Sequence, residues 1–305
     1  MEGGLILLNK ESGVTSFDAL RDIKRALGTG KVGHTGTLDK FAHGLLIVLA
    51  GNALRLSKWF TSCDKMYEGR IHFGIETDTL DPEGSVIAEA KIPSREEIEQ
   101  VLKQFTGEIL QAPPLYSAIH INGKRASELA RSGKTVEMKK RPVTVKKLEI
   151  LSWQPPFADI HVHCSSGTYI RSLARDIALA AGSRGHLNSL LRTQVGGFSH
   201  TEAQRHKEEQ IKIHPIDKSI IATLGIPCYE ATEQEKTHII HGKPLNQIFP
   251  FPSSPSSPAS PAPLRLRENS SQNSLAIYKA ETLIAIIEKN EEKWKYAFVF
   301  NHKKL

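Results

Sequence analysis

Gly33-His34-Thr35-Gly36-Thr37-Leu38-Asp39 leads, across Lys40–Gly44, into the apolar run Leu45-Leu46-Ile47-Val48-Leu49-Ala50. The first stretch reads as a polar, glycine-rich loop and the second as a buried strand. A polar loop standing on a rigid strand is a common place for chemistry. Asp39 could act there as nucleophile, base or metal ligand. It could equally be a turn residue bonded to its own backbone. No neighbouring carboxylates supply the extra oxygens that a magnesium site needs.

On the N-terminal side, Leu5 to Asn9 reads as a strand. Ser16 is expected to cap a helix in which Phe17, Leu20, Ile23 and Leu27 recur at near-helical spacing up to Gly28. Downstream, Tyr67 to Gly74 alternates like a half-exposed strand. Ser94 and Glu97 have capping-box spacing ahead of Ile98, Val101, Leu102 and Phe105. Pro142 to Trp153 and Asp159 to Ser165 alternate again. His161 and His163 share one strand face, which reads as a polar face rather than a metal pair. Gly167-Thr168-Tyr169-Ile170-Arg171 turns the chain into a helix ending near Gly182. An arginine at a helix start opposes the helix dipole, so Arg171 is expected to pair with a carboxylate or to meet solvent.

The chain has 305 residues, enough for a large domain and a smaller one. The expected division is 1–212 and 213–305, with a helix and a basic insertion over about 94–142. Pro250 to Pro263 is almost all Pro, Ser and Ala, a flexible loop that cannot bury apolar surface. Leu275–Tyr278, Leu283–Glu288 and Trp294–Phe300 read as strands, the last two joined by a turn at Lys289–Glu292. The C-terminal domain is thus expected to be small and all-β. Three scattered cysteines make no disulfide framework, and no metal motif occurs among the thirteen histidines. The net charge of +7 and pI near 9.2 favour a polyanionic partner. The longest apolar run is far too short to span a bilayer, so no membrane is expected and the cytoplasm is the default compartment.

A set of motifs sharpens this reading. In order they are Leu8-Asn9-Lys10 with Gly13-Val14-Thr15-Ser16, Gly33 to Asp39, and Lys65-Met66-Tyr67 followed by Gly74, Thr77, Asp78, Thr79, Asp81 and Gly84. Then come Pro113-Pro114 with Ser117-Ala118, Gly123-Lys124-Arg125, Glu128-Leu129-Ala130-Arg131 and Arg141-Pro142-Val143. Gly167 to Ala174 and Gly185-His186-Leu187 with Leu190, Arg192-Thr193 and Val195-Gly196 complete the set. It resembles the TruB family of tRNA pseudouridine synthases over about residues 5 to 198.

The resemblance implies an α+β pseudouridine synthase fold, a mixed, mainly antiparallel β-sheet with flanking helices, followed by a β-rich PUA-like domain. It implies isomerisation of uridine to pseudouridine at position 55 of the tRNA T-loop. Asp39 matches the catalytic aspartate. Tyr67 matches the tyrosine that stacks on the base, and Arg171 the arginine paired with the aspartate. Tyr169 and Leu190 match pocket residues, Lys10 a supporting cation, and His34 a histidine wedged into the T-loop. No atom is gained or lost, so no cofactor and no metal is expected. The partner is the tRNA T-arm, without a guide RNA, and the enzyme is expected to act as a monomer.

The chain also departs from the pattern. Glu11 and Lys40 stand where proline is usual, Leu191 where arginine is common, and Ser127 where tyrosine is. Lys40 would add a cation near Asp39 or contact phosphate. A tRNA chaperone without catalysis, a nucleoside hydrolase and a guide-dependent synthase are the competing classes. The intact Asp39, Tyr67 and Arg171 set favours the stand-alone synthase.

Overall fold

The computed structural model describes residues 3–121, 123–132, 138–205, 210–249, 273–290 and 293–300. The Pro/Ser stretch 250–263 lies outside them, as does part of the turn at Lys289–Glu292. The chain forms two compact units. The larger comprises Ile6–Val48 and Lys58–Lys212. The smaller comprises Ile213–Leu305 and also takes in Met1–Leu5 and Leu49–Ser57.

The larger unit is built on a mixed sheet. Its strands, in hydrogen-bonded order, are Gln204–Arg205, Gly4–Lys10, His43–Ala50, Gly185–Val195, Lys65–Phe73, Phe157–Cys164, Arg141–Gln154 and Gly107–Gln111. His43–Ala50 runs parallel to Gly185–Val195, and from there to Gly107–Gln111 every pairing is antiparallel. The alternation read in the sequence sets which side chains face inward. Tyr67, Ile71 and Phe73 of one strand meet Ala158, Ile160, Val162 and Cys164 of the next in a single apolar core. His161 and His163 project from the opposite, half-exposed face.

Two helices seal that core. Arg95–Leu102 carries the capping box expected from Ser94 and Glu97 and buries Ile98 and Leu102. Ile170–Ala180 buries Leu173, Ala174, Ile177 and Ala178. The first helix, Ser16–Leu27, corrects one expectation. Its cap is Thr15, whose side chain accepts from the Asp18 amide, and Ser16 is its first residue. Thr15 keeps the extended backbone that a cap requires, which frees the buried Ser16 hydroxyl for another task.

The smaller unit is β-rich but not all-β. Cys228–Glu230, Ser274–Lys279, Thr282–Asn290 and Lys293–Val299 form its four-stranded sheet. Helices Lys218–Thr223, Glu233–Ile240 and Leu245–Ile248 accompany it. Thr232 and Glu235 form a second capping box. That spacing was legible in the sequence and would have located the middle helix. No described helix is long and apolar enough to cross a membrane.

Candidate active site

Asp39 follows Leu38 and precedes Ala42, and both of these apolar residues are plugged into the core of the larger unit. The loop between them is also tied down through its backbone. The Leu38 amide donates to Ser16 Oγ at 2.9 Å, and Ser16 Oγ donates to the Leu38 carbonyl at 2.9 Å. The Gly13 amide donates to the Lys40 carbonyl at 2.8 Å, and Ser12 Oγ to the Phe41 carbonyl at 2.7 Å. The backbone on both sides of Asp39 is therefore held while its side chain stays partly open. This is the preorganisation that a reacting group needs.

Arg171 supplies the counter-charge. It lies in the first turn of Ile170–Ala180, where the helix dipole disfavours a cation. Two carboxylates offset that. Arg171 Nη2 donates to Asp39 Oδ1 at 3.1 Å, and Nε lies 2.9 Å from Oδ2. Nη1 donates to Asp81 Oδ2 at 3.2 Å and to the Thr79 carbonyl at 2.8 Å, while Nη2 also reaches the Tyr116 carbonyl at 3.1 Å. The fork is thus fixed by backbone carbonyls before any substrate arrives.

Asp39 and Arg171 line a cavity of about 710 Å³ together with Tyr67, Tyr169, Leu190 and Arg192. That is within the range of pockets that enclose a small ligand or one extruded nucleotide. The Asp39 side chain remains 36% exposed and lines the cavity. Burial pushes its carboxyl above the ordinary aspartate value, with the Asp81 charge adding to the rise; Arg171, and more weakly Lys10, pull it back. Burial likewise pushes the Tyr67 phenol up, so it is neutral at pH 7.

The remaining expected residues take other places. Tyr169 is the helix cap, its backbone clamped by both ends of the buried Gln111 amide at 2.8 and 3.1 Å. Lys10 does not line the cavity. It is fully buried behind the loop, where Nζ donates to the Val14, Glu11 and Lys40 carbonyls at 2.6, 2.9 and 3.4 Å. Burial lowers its pKa to about 8. His34 ends the short strand Val32–His34 and is also outside the cavity lining. Burial lowers its pKa too, which favours the neutral ring. Lys40 neither faces Asp39 nor stands free; its ammonium pairs with Glu83 at 2.9 Å.

Two charged residues were present in the motifs without an assigned task. Asp81 is 6% exposed and shares the Arg171 guanidinium. Arg192 is 2% exposed and stands directly across the sheet from Tyr67. Its Nε donates to the Leu45 carbonyl at 2.6 Å and its Nη2 to the Gly36 carbonyl at 3.2 Å. It thereby fastens the loop before Asp39 to the strand beneath it. Gly44 makes room for this: any side chain there would strike the Arg192 backbone, and its φ of +103° suits glycine alone.

The model of the TruB family pseudouridylate synthase N-terminal domain matches residues 24–170, which include Asp39, Tyr67 and Tyr169. A tRNA pseudouridine synthase B of Borreliella burgdorferi (strain ZS7) is 49% identical over 201 residues, 65% of this chain and 71% of its own. The tRNA pseudouridine synthase B of Francisella tularensis subsp. tularensis (strain WY96-3418) is 42% identical over 243 residues, 76% of this chain and 80% of its own. Among solved structures, a Cbf5-Nop10-Gar1 complex contains a chain that superposes with a TM-score of 0.65 over 97% of this chain and 84% of that one. At 23% identity it speaks for the fold alone. With relatives this similar over more than two thirds of their length, the chain belongs to the TruB family of pseudouridylate synthases.

Proposed function

We propose that the chain isomerises uridine 55 of the tRNA T-loop to pseudouridine, with Asp39 as the catalytic carboxylate. The activity follows from family membership and the relatives' shared name, tRNA pseudouridine synthase B. The observation that carries the assignment of Asp39 is its ion pair with a buried arginine at the wall of a nucleotide-sized cavity.

The reaction breaks the N1–C1′ bond, turns the uracil and joins C5 to C1′; the C5 hydrogen leaves as a proton and N1, which kept the electron pair of the broken bond, takes one up. A carboxylate must be ionised to attack carbon or to take a ribose proton. Arg171 keeps Asp39 charged against burial and fixes its orientation. The target base lies within a folded loop, so it must be flipped out against a few kcal/mol of unstacking. Tyr67 and Tyr169, with the apolar Leu190, offer surfaces on which the extruded base can stack. Lys10 and Arg192 hold the loop from behind.

His34 serves outside the cavity, against the T-loop left open by flipping. Arg125 and Arg131 line the cavity from the 94–142 segment and contact the RNA backbone. Residues 1–212 form the catalytic domain, and 213–305 a PUA-like domain that adds RNA contacts. The enzyme acts as a monomer and without a guide RNA. The test is modification mapping on bulk tRNA from cells with and without the gene. Loss of pseudouridine at T-loop position 55 alone is the expected result. Unchanged modification there would overturn the proposal.

A further inference from the structure

We propose that Lys40 and Glu83 are positioning residues whose ion pair holds the Asp39 loop in register with the turn that carries Asp81. The inference rests on Asp39 being the catalytic carboxylate. It concerns a residue where this chain departs from its family's pattern, and it begins with a geometric problem.

The Arg171 guanidinium is shared between two carboxylates from separate segments. Asp39 stays aligned only if those segments keep their spacing. On one side, Lys10, Ser12, Gly13 and Ser16 tie the Asp39 loop to the N-terminal segment. None of these hydrogen bonds reaches the Asp81 turn; Lys10 meets it only through the charge of Glu83.

That turn is rigid in itself. Thr77 Oγ1 donates to the Asp81 carbonyl at 2.7 Å, and Thr79 Oγ1 to Asp81 Oδ1 at 2.6 Å. The Asp78 amide donates to the Ser85 carbonyl at 3.0 Å. Gly84 is packed so closely that an added Cβ would meet Asp78 and Thr79 side-chain oxygens within 2.5 Å. The Glu83 amide donates to Asp81 Oδ1 at 3.1 Å, so moving the Glu83 backbone moves Asp81.

Lys40 grips this rigid piece. Its ammonium is 2.9 Å from Glu83 Oε1, and it is the residue next to Asp39. The contacts close a ring: Asp39 to Arg171, Arg171 to Asp81, Asp81 to Glu83, Glu83 to Lys40, and Lys40 back to Asp39 through the chain. The Lys40 ammonium is engaged with Glu83, so its effect on Asp39 is on position. Both side chains are about half exposed, at 52% and 46%, so the link is sensitive to salt.

The test is single-turnover pseudouridine formation at saturating enzyme, alongside tRNA affinity, for Lys40→Ala, Glu83→Ala, the double variant and the exchange Lys40→Glu with Glu83→Lys. Each alanine variant should slow the rate about two- to fivefold, the range an exposed ion pair can supply. The double variant should be no slower than either single one, the exchange should recover most of the rate, and tRNA affinity should not change. High salt should bring the unaltered enzyme down toward the variants. Alanine variants as fast as the unaltered enzyme would overturn the proposal. So would weakened tRNA binding in Lys40→Ala but not Glu83→Ala, which would make Lys40 a phosphate contact. An active Asp39→Asn enzyme would instead sink the underlying assignment.

Discussion

Among the described residues, every buried charged or polar side chain apart from a tyrosine lies in the larger unit. The smaller unit's core is Ala231, Ile239, Leu245, Phe249, Leu275, Ile277, Ile284, Ala285 and Ile287. Such a core gains from burial without desolvating charge. The larger unit has an apolar core of the same kind, but it also buries Lys10, Lys65, Asp81, Arg171 and Arg192. A buried ion pair is weak evidence for stability, because desolvation offsets much of the attraction. Three of those charges, Lys65, Arg171 and Arg192, line one cavity, and Asp81 and Lys10 brace Arg171 and the Asp39 loop from behind, so they are better explained by what they do there. The difference separates a part built to be stable from a part built to hold a carboxylate in place.

The comparison breaks most sharply at Asp39. Asp39→Asn should lower the single-turnover rate on the order of 10⁴-fold or more. The same change should raise the melting temperature near neutral pH. Burial raises this carboxyl's pKa, so the folded chain binds the proton more tightly than the unfolded one. Stability is therefore lost as pH rises from the ordinary aspartate value through the folded one, and an amide escapes that loss. Calorimetry at pH 7 checks the sign.

Arg171→Ala should lose both properties at once. The rate should fall about 10³-fold, as when a preorganised charge donor is removed. Stability should fall by about 3–5 kcal/mol, because Asp81 is left buried without its cation. Arg171→Lys keeps the charge but not the fork, so it should recover stability better than rate. Arg192→Gln should be milder, slowing the reaction about tenfold to a hundredfold through a displaced loop.

The pH dependence is smaller still. The rate should fall on acidification with a midpoint above the ordinary aspartate value of 3.8, because the ionised form is needed and burial resists it. Asp81→Asn should move that midpoint down by removing a neighbouring negative charge. On the other side of the comparison, Ile277→Ala should destabilise by about 2–5 kcal/mol. It should leave the rate per folded molecule within about twofold, since Ile277 belongs to the smaller unit's own core.

Periodicity made the strands and both sealing helices legible, because alternation and capping are local. The Asp39 loop was legible for a different reason. Leu38 and Asp39 sit in a motif, whereas the residues that hold them are far away in the chain. The Arg171–Asp39 bond spans 132 residues and the Arg192–Leu45 bond 147. No spacing rule reaches that far, so Arg171 was placed by its poor fit to a helix start and by resemblance. Asp81 and Arg192 had no such anomaly and went without a role. Ser16 was taken for a cap because its hydroxyl suits one; its real partner is Leu38, 22 residues on. The helices of the smaller unit were missed although Asp217 and the Thr232–Glu235 pair announce two of them.

The central claim is that a carboxylate at position 39 rearranges a flipped uridine in tRNA. It is tested most directly with an unmodified tRNA transcript, excess enzyme and no other RNA, reading each T-loop nucleotide after one turnover. The account predicts pseudouridine at position 55 with the unaltered chain, and none with an Asp39→Asn chain that binds the transcript equally tightly. Pseudouridine made by Asp39→Asn, or free uracil released by the unaltered chain, would contradict it.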